Sequence, residues 1–238
     1  MSLSKSVSIE VCLSPDLLHL YEVAGKTVVV ADILRATSCM VTAFGNGAAS
    51  IRPFGDLEDC KKAAVQGYET SGERNGVKVE GFDRGNSPFE YLGADIRGKK
   101  IAFTTTNGTQ AIEKSKAAKH LVIGAFLNLS EIASEVIRLN KDLLVVCAGW
   151  KGRFNLEDTL FAGALAKKIK EHFSCSDDAT LAAISLYEEA RQDMVGFLNR
   201  SSHVQRLNRL NVHDDMAFCV QEDAYPVVPF LKGDHLTI

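Results

Sequence analysis

The stretch Thr27-Val28-Val29-Val30-Ala31-Asp32-Ile33-Leu34-Arg35-Ala36-Thr37-Ser38 decides how this chain folds. The run Val28 to Ala31 is apolar without alternation, so it reads as a strand buried on both faces. That is the habit of central strands in a parallel sheet covered by helices on each side. The chain then breaks abruptly to a carboxylate, a guanidinium and two hydroxyls as it passes towards a helix. Leu143-Leu144-Val145-Val146-Cys147, followed by Ala148-Gly149, repeats the pattern.

Working outward, strands are expected at residues 7–13, 27–34, 48–53, 100–105, 120–125 and 143–148. Apolar residues at three-and-four spacing predict helices over 56–66, 109–119, 130–140, 155–173 and 178–198. Ser14-Pro15-Asp16 is a cap followed by proline at the first helical position. The alternation predicts an α/β fold, a layered α/β/α sandwich around a mostly parallel sheet. The chain reads as a single compact α/β unit over residues 1–238, with two α/β subdomains divided near 125–142 as the alternative. Residues 69–87 are rich in glycine and charge and poor in apolar residues, which predicts a long irregular loop of the kind that carries function.

Composition narrows the partners. At 238 residues, 46% hydrophobic and 24% charged, the sequence is that of a globular protein. The net charge of -3 gives no reason to expect nucleic acid or an anionic membrane. No apolar run is long enough to span a bilayer, and residues 1–8 lack a signal-peptide core, so the expected location is cytoplasmic. The six cysteines contain no C-x-x-C pair and read as buried reduced thiols. Long amphipathic helices leave room for a homodimer.

Ligands of open α/β sheets bind at the carboxyl ends of the strands. Here those ends lead into Asp32-Ile33-Leu34-Arg35-Ala36-Thr37-Ser38, Thr104-Thr105-Thr106-Asn107-Gly108-Thr109 and Cys147-Ala148-Gly149-Trp150-Lys151-Gly152-Arg153. Each carries small or hydroxylic residues into a helix, where backbone N–H groups suit an anion. Arginines supply bidentate oxyanion contacts and carboxylates suit a hard cation, the pairing that phosphoryl transfer needs. No G-x-x-x-x-G-K-[ST] loop is present, and Leu34 stands where a D-x-D nucleophile pair would need its second aspartate. Cys147 and Arg153 have the C-x5-R spacing of cysteine-dependent phosphatases, so a thiolate nucleophile is one alternative. A non-catalytic binder of small organic acids is another.

Taken in order, Asp32-Ile33-Leu34-Arg35-Ala36-Thr37, Gly72-Glu73-Arg74-Asn75-Gly76, Gly81-Phe82-Asp83-Arg84-Gly85-Asn86-Ser87-Pro88, residues 104–109 and Cys147-Ala148-Gly149 with Glu157-Asp158 resemble the 2-phosphosulfolactate phosphatases. Ser201-Ser202-His203, Asp214 or Asp215, Asp223 and Val228-Pro229 extend the resemblance over essentially the whole chain. It implies an α/β fold peculiar to that family and a Mg2+-dependent phosphatase. The implied reaction converts 2-phospho-3-sulfolactate and water to 3-sulfolactate and phosphate, a step of coenzyme M biosynthesis.

Such a substrate is a small anion with a phosphate, a sulfonate and a carboxylate on three carbons, so it needs several separate anion holders. Arg35, Arg74, Lys151 and Arg153 are the expected counter-charges, with Ser87, Thr105, Asn107 and Ser202 as neutral donors. Asp32, Glu157 and Asp158 are the expected magnesium ligands. Asp32, Glu157 and His203 are the expected catalytic groups, His203 as acid or base.

Overall fold

Strands β1 (Ile9–Cys12), β2 (Thr27–Ala31), β3 (Ser50–Pro53), β4 (Glu69–Arg74), β5 (Val77–Lys78), β6 (Lys100–Thr104), β7 (His120–Gly124), β8 (Leu143–Cys147), β9 (Phe230–Lys232) and β10 (His235–Thr237) form one sheet. The computed structural model describes residues 7–175, 177–208 and 213–238; the first six residues of the polar N-terminal stretch lie outside them. The strand order is β1-β8-β2-β7-β9-β10-β3-β6-β4-β5. The expected α/β architecture is therefore what the chain adopts, with two parallel blocks, β1-β8-β2-β7 and β3-β6-β4, joined through the antiparallel hairpin β9–β10.

The hairpin joins each block through a single residue pair, Phe230 with Val122 on one side and Leu236 with Ile51 on the other. Three antiparallel steps separate the blocks, so their strands run in opposite senses. So few ladder contacts let the sheet turn at the hairpin, and the carboxyl ends of both blocks meet at one cleft. This hairpin was not expected from the sequence. Its strands are three residues each and turn on Gly233-Asp234, Gly233 at φ 61.

The helices are α1 (Ala36–Gly45), α2 (Leu57–Lys62), α3 (Gly108–Lys114), α4 (Leu129–Leu139), α5 (Leu156–Ile169), α6 (Asp178–Ala190), α7 (Met194–Leu198), α8 (Ser202–Asn208) and α9 (His213–Cys219). Helix α1 is buried from Ala36 to Phe44, as an all-round apolar sequence requires. The strand sequences Val28–Ala31 and Leu143–Cys147 are wholly buried, which explains their lack of alternation.

Two expectations are corrected. The first half of the segment read as an irregular loop supplies strands β4 and β5, while residues 79–87 remain outside any helix or strand. Its polar residues hid the strand because they bond within the protein: Thr70 donates from N and Oγ1 to Asp83 Oδ2, both at 2.8 Å. Gly72 allows the ladder to close, since a Cβ there would lie 2.3 Å from the Thr104 carbonyl oxygen. The helix expected over 178–198 is two, broken before Asp193, whose carboxylate accepts from Gly196 N at 2.9 Å and so starts α7. No helix among the described residues is long and apolar enough to cross a membrane.

Candidate active site

Strand β2 ends at Ala31, and the next residue, Asp32, closes the turn into α1. Its N–H donates to Thr37 Oγ1 at 3.0 Å and its Oδ1 accepts from Ala36 N at 3.3 Å. Helix α3 begins directly against it: a Cβ on Gly108 would sit 2.7 Å from Asp32 Oδ2, so only glycine lets β6 deliver its helix this close. Among the described residues Oδ2 receives no hydrogen bond. Burial pushes the Asp32 carboxyl up to about 6; Glu73 and Glu157 add to this, while the Ala36 amide and His203 oppose it.

Glu73, at the end of β4, is buried and tied by backbone amides. Oε2 accepts from Gly76 N, and Oε1 from Thr106 N at 2.7 Å. With Asp32, Arg35, Asn86, Asn107, Trp150 and His203 it lines an inner cavity of about 20 Å³, room for roughly one water. Asn86 Oδ1 is buried there without a partner among the described residues. Asp32, Glu73 and Asn86 thus present acceptor oxygens to one small space.

The other wall comes from β8 and α5. Asn155 caps α5 and brings Glu157 and Asp158, adjacent in its first turn, into wholly buried positions with different tasks. Asp158 Oδ1 accepts from Ile33 N at 2.8 Å and Oδ2 from Gly149 N at 3.0 Å, so it ties the turn after β2 to the turn after β8. Burial, then the charges of Asp32 and Glu157, push its carboxyl well above the ordinary range. Glu157 turns instead to His203 on α8: Oε1 is paired with Nδ1, while Oε2 accepts from Ser201 Oγ at 3.4 Å. The imidazole leans on Trp150, ring centroids 5.1 Å apart.

Other residues expected at the site have duties inside the protein. Buried Arg35 is paired with Asp215 of α9 and donates to Gly76 O at 3.2 Å. Burial alone would lower its pKa, but Asp215 outweighs this and the net direction is up. Ser87 donates to the same carboxylate at 2.7 Å. Arg74 staples β4 to β6, donating to Glu73 O at 2.7 Å and Thr104 Oγ1 at 3.0 Å. Thr105 opens α3, its Oγ1 accepting from Thr109 N at 3.3 Å. Asn107 lines the inner cavity and accepts from Lys151 N at 3.0 Å.

Lys151, Arg153 and Ser202 lie in a second, outer pocket of about 480 Å³, which shares only Trp150 and His203 with the inner cavity. Ser202 is exposed. Its buried neighbour Ser201 does the local bonding, capping α8 by accepting from His203 N at 3.2 Å and Val204 N at 3.4 Å. Sequence reading placed Ser201, Asn86 and Asp215 within its motifs without giving them a role, and missed two cations of the outer pocket, Arg200 and Arg206. A serine two residues before the histidine is a cap signal that could have favoured Ser201 over Ser202.

The cysteine alternative does not survive the geometry. Cys147 is fully buried, and burial, then Asp158, push its thiol well above the usual range, the reverse of an activated nucleophile. Arg153 stands out in the solvent-facing pocket, its backbone paired with Trp150.

A buried set of carboxylates with a glutamate-held histidine, beside a cationic pocket at the ends of parallel strands, is the candidate site of this α/β protein. The relatives narrow this further. The chain matches the family described as 2-phosphosulpholactate phosphatase over residues 12–234, and it belongs to that family. A protein of Caldanaerobacter subterraneus subsp. tengcongensis named "Probable 2-phosphosulfolactate phosphatase" is 40% identical over 213 residues, 87% of this chain and 88% of its own. Proteins with the same name from Thermotoga petrophila and Clostridium kluyveri are 43% identical over 206 residues and 34% identical over 230 residues, covering 87% and 94% of this chain and 89% and 94% of their own.

Proposed function

We propose that this chain hydrolyses 2-phospho-3-sulfolactate to 3-sulfolactate and phosphate, and that it requires Mg2+ to do so. The family supports the substrate. The observation that carries the chemistry is the meeting of Asp32 and the Glu157-held His203 at an inner cavity that shares Trp150 and His203 with a cationic pocket.

Among the described residues no three His, Cys, Asp or Glu side chains are grouped to cage a metal ion by themselves. Mg2+ does not ask for one: it is held by one or two carboxylates, with waters and substrate phosphate oxygens completing its octahedron. The orphaned Asn86 Oδ1 beside Asp32 and Glu73 gives an all-oxygen acceptor set that fits this habit. Asp32 and Glu73 would hold the ion, with Asn86 as the neutral donor. Of the other expected ligands, Glu157 is engaged by His203, and Asp158, whose oxygens accept amides as those of Glu73 do, is not among the residues that line the inner cavity. Bound there, Mg2+ supplies charge neutralisation to the phosphate oxygens.

The chain's own groups do the rest. Water adds to phosphorus as the bond from phosphorus to the C2 oxygen breaks, and the electron pair of that bond leaves on the oxygen. Glu157 fixes His203 by Nδ1, which leaves Nε2 to exchange the proton passing between the attacking water and the leaving oxygen. Trp150 and Leu207 supply the large apolar part of the cavity lining. A phosphatase screen over 2-phospho acids, with and without Mg2+, tests the reading. Release from 2-phosphosulfolactate above 2-phospholactate or phosphoglycolate is expected. A preference for one of the latter would move the substrate, and no release from any would end the proposal.

A further inference from the structure

The outer pocket has a charge pattern that the inner chemistry does not use. Its lining includes Lys151, Arg153, Arg200 and Arg206 with the hydroxyls of Ser201 and Ser202, and no carboxylate. Of the four cations, only Arg200 has a carboxylate partner among the described residues, Glu189 at 3.6 Å on an exposed pair. The inner cavity is the reverse: Asp32 and Glu73 line it, and the charge of Arg35 is already matched by Asp215.

Arg206 is the fixed member of the set. It lies three residues after His203 on α8, so both face the same way, and both stack on Trp150. The Arg206 guanidinium carbon is 4.5 Å from the ring centroid. Its Nε is buried without a hydrogen-bond partner among the described residues. A buried donor left unpaired is costly, and a guanidinium held over an indole offers its fork in a restricted range of orientations. Burial lowers its pKa, offset only in part by Glu157, so its charge has no full counterpart within the protein.

We propose that the outer pocket binds the non-reacting anions of the substrate, the sulfonate on C3 and the carboxylate on the other side of C2, and that Arg206 is the residue that selects for the sulfonate. This rests on the proposed function, with the phosphate reacting at the Trp150–His203 threshold beside the inner cavity, which itself has room for roughly one water. The volume of about 480 Å³ suits a three-carbon polyanion with its waters. The acid set and the base set share the Trp150–His203 threshold, so a substrate with its phosphate at His203 can place its other anions among the cations, while the carboxylates would hold the Mg2+ that neutralises the phosphate. A simple phosphate monoester leaves those cations unpaired.

Calorimetric binding of 3-sulfolactate, lactate and inorganic phosphate to the full chain, wild type, Arg206→Gln and Arg206→Lys, tests this. Phosphate release from 2-phosphosulfolactate and phenyl phosphate is measured in parallel. A charged hydrogen-bond pair lost from the pocket corresponds to about tenfold or more. Arg206→Gln should therefore weaken 3-sulfolactate by that factor, well beyond its effect on phosphate. It should also lower the preference for 2-phosphosulfolactate over phenyl phosphate. Arg206→Lys keeps the charge without the fork, and should show the same trend in smaller measure if the glutamine variant unfolds. Equal losses for 3-sulfolactate and phosphate, or unchanged 3-sulfolactate binding, would overturn the assignment. Should the wild type release no phosphate at all, the proposed reaction fails, yet the binding measurements still decide the pocket.

Discussion

Glu157, with no exposed surface, is paired through Oε1 with Nδ1 of His203, forty-six residues away in sequence and on a different helix. The pair forms because α5 and α8 both start at the cleft, one capped by Asn155 and the other by Ser201. Orientation of the imidazole is therefore a property of two helix starts. Glu157→Gln keeps the shape while removing the charge that stabilises the protonated ring. It is expected to lower kcat by about 10²-fold, with unfolding little changed. Full activity in that variant would show that His203 carries no proton.

Asp32 should trade stability for function. Its carboxyl is held up at about 6 by burial, whereas an unfolded aspartate ionises near 4. Between those values the folded state retains a proton that the unfolded state has lost, so stability falls as pH rises through this window and stays lower above it. In chelator-treated protein at pH 7.5, Asp32→Asn is expected to raise stability by up to about 3 kcal/mol, with a smaller gain at pH 4. The same variant should lose phosphatase activity. Destabilisation at pH 7.5 would mean that the carboxylate is compensated within the fold.

Asp158 is expected to behave in the opposite way. Removing it leaves the buried amides of Ile33 and Gly149 without acceptors, at about 1–3 kcal/mol each. Asp158→Ala should lower Tm by roughly 5–15 °C in a chain of this size. A Tm within a degree or two of wild type would show that water replaces the tie.

Cys147→Ala removes one small buried group behind the site. Phosphate release within about twofold of wild type is expected, because a thiol so far from ionisation takes no part in the reaction. A variant that folds but is inactive would restore the cysteine mechanism.

The parallel strands were legible because burial on both faces writes itself as an unbroken apolar run, as in Val28–Ala31. The turns that follow them were legible for the same reason, since polar residues appear suddenly at Asp32 and Asn107. What failed to show was structure built from polar residues. β4 is Glu-Thr-Ser-Gly-Glu-Arg, and its pairing with β6 depends on Asp83 and on the closeness of Thr104. The hairpin β9–β10 is too short to generate a period. Within the site, sequence order named His203 and Glu157 separately, but their pairing is a tertiary fact. Charge counting found Arg35 and Arg74 and gave no sign that Asp215 and Thr104 engage them. Arg206 was invisible because an arginine in a short helix has no local signature; only its position over Trp150 sets it apart.

The central claim is hydrolysis of 2-phospho-3-sulfolactate with Mg2+ held at Asp32. It is tested most directly by following phosphate and 3-sulfolactate together while Mg2+ is titrated into chelator-treated enzyme, wild type and Asp32→Asn. The account predicts equal amounts of both products, no release in chelator, saturable recovery with Mg2+ in the wild type and none in the variant. Turnover that proceeds undiminished in chelator, or an Asp32→Asn enzyme that recovers with Mg2+ like the wild type, would contradict it.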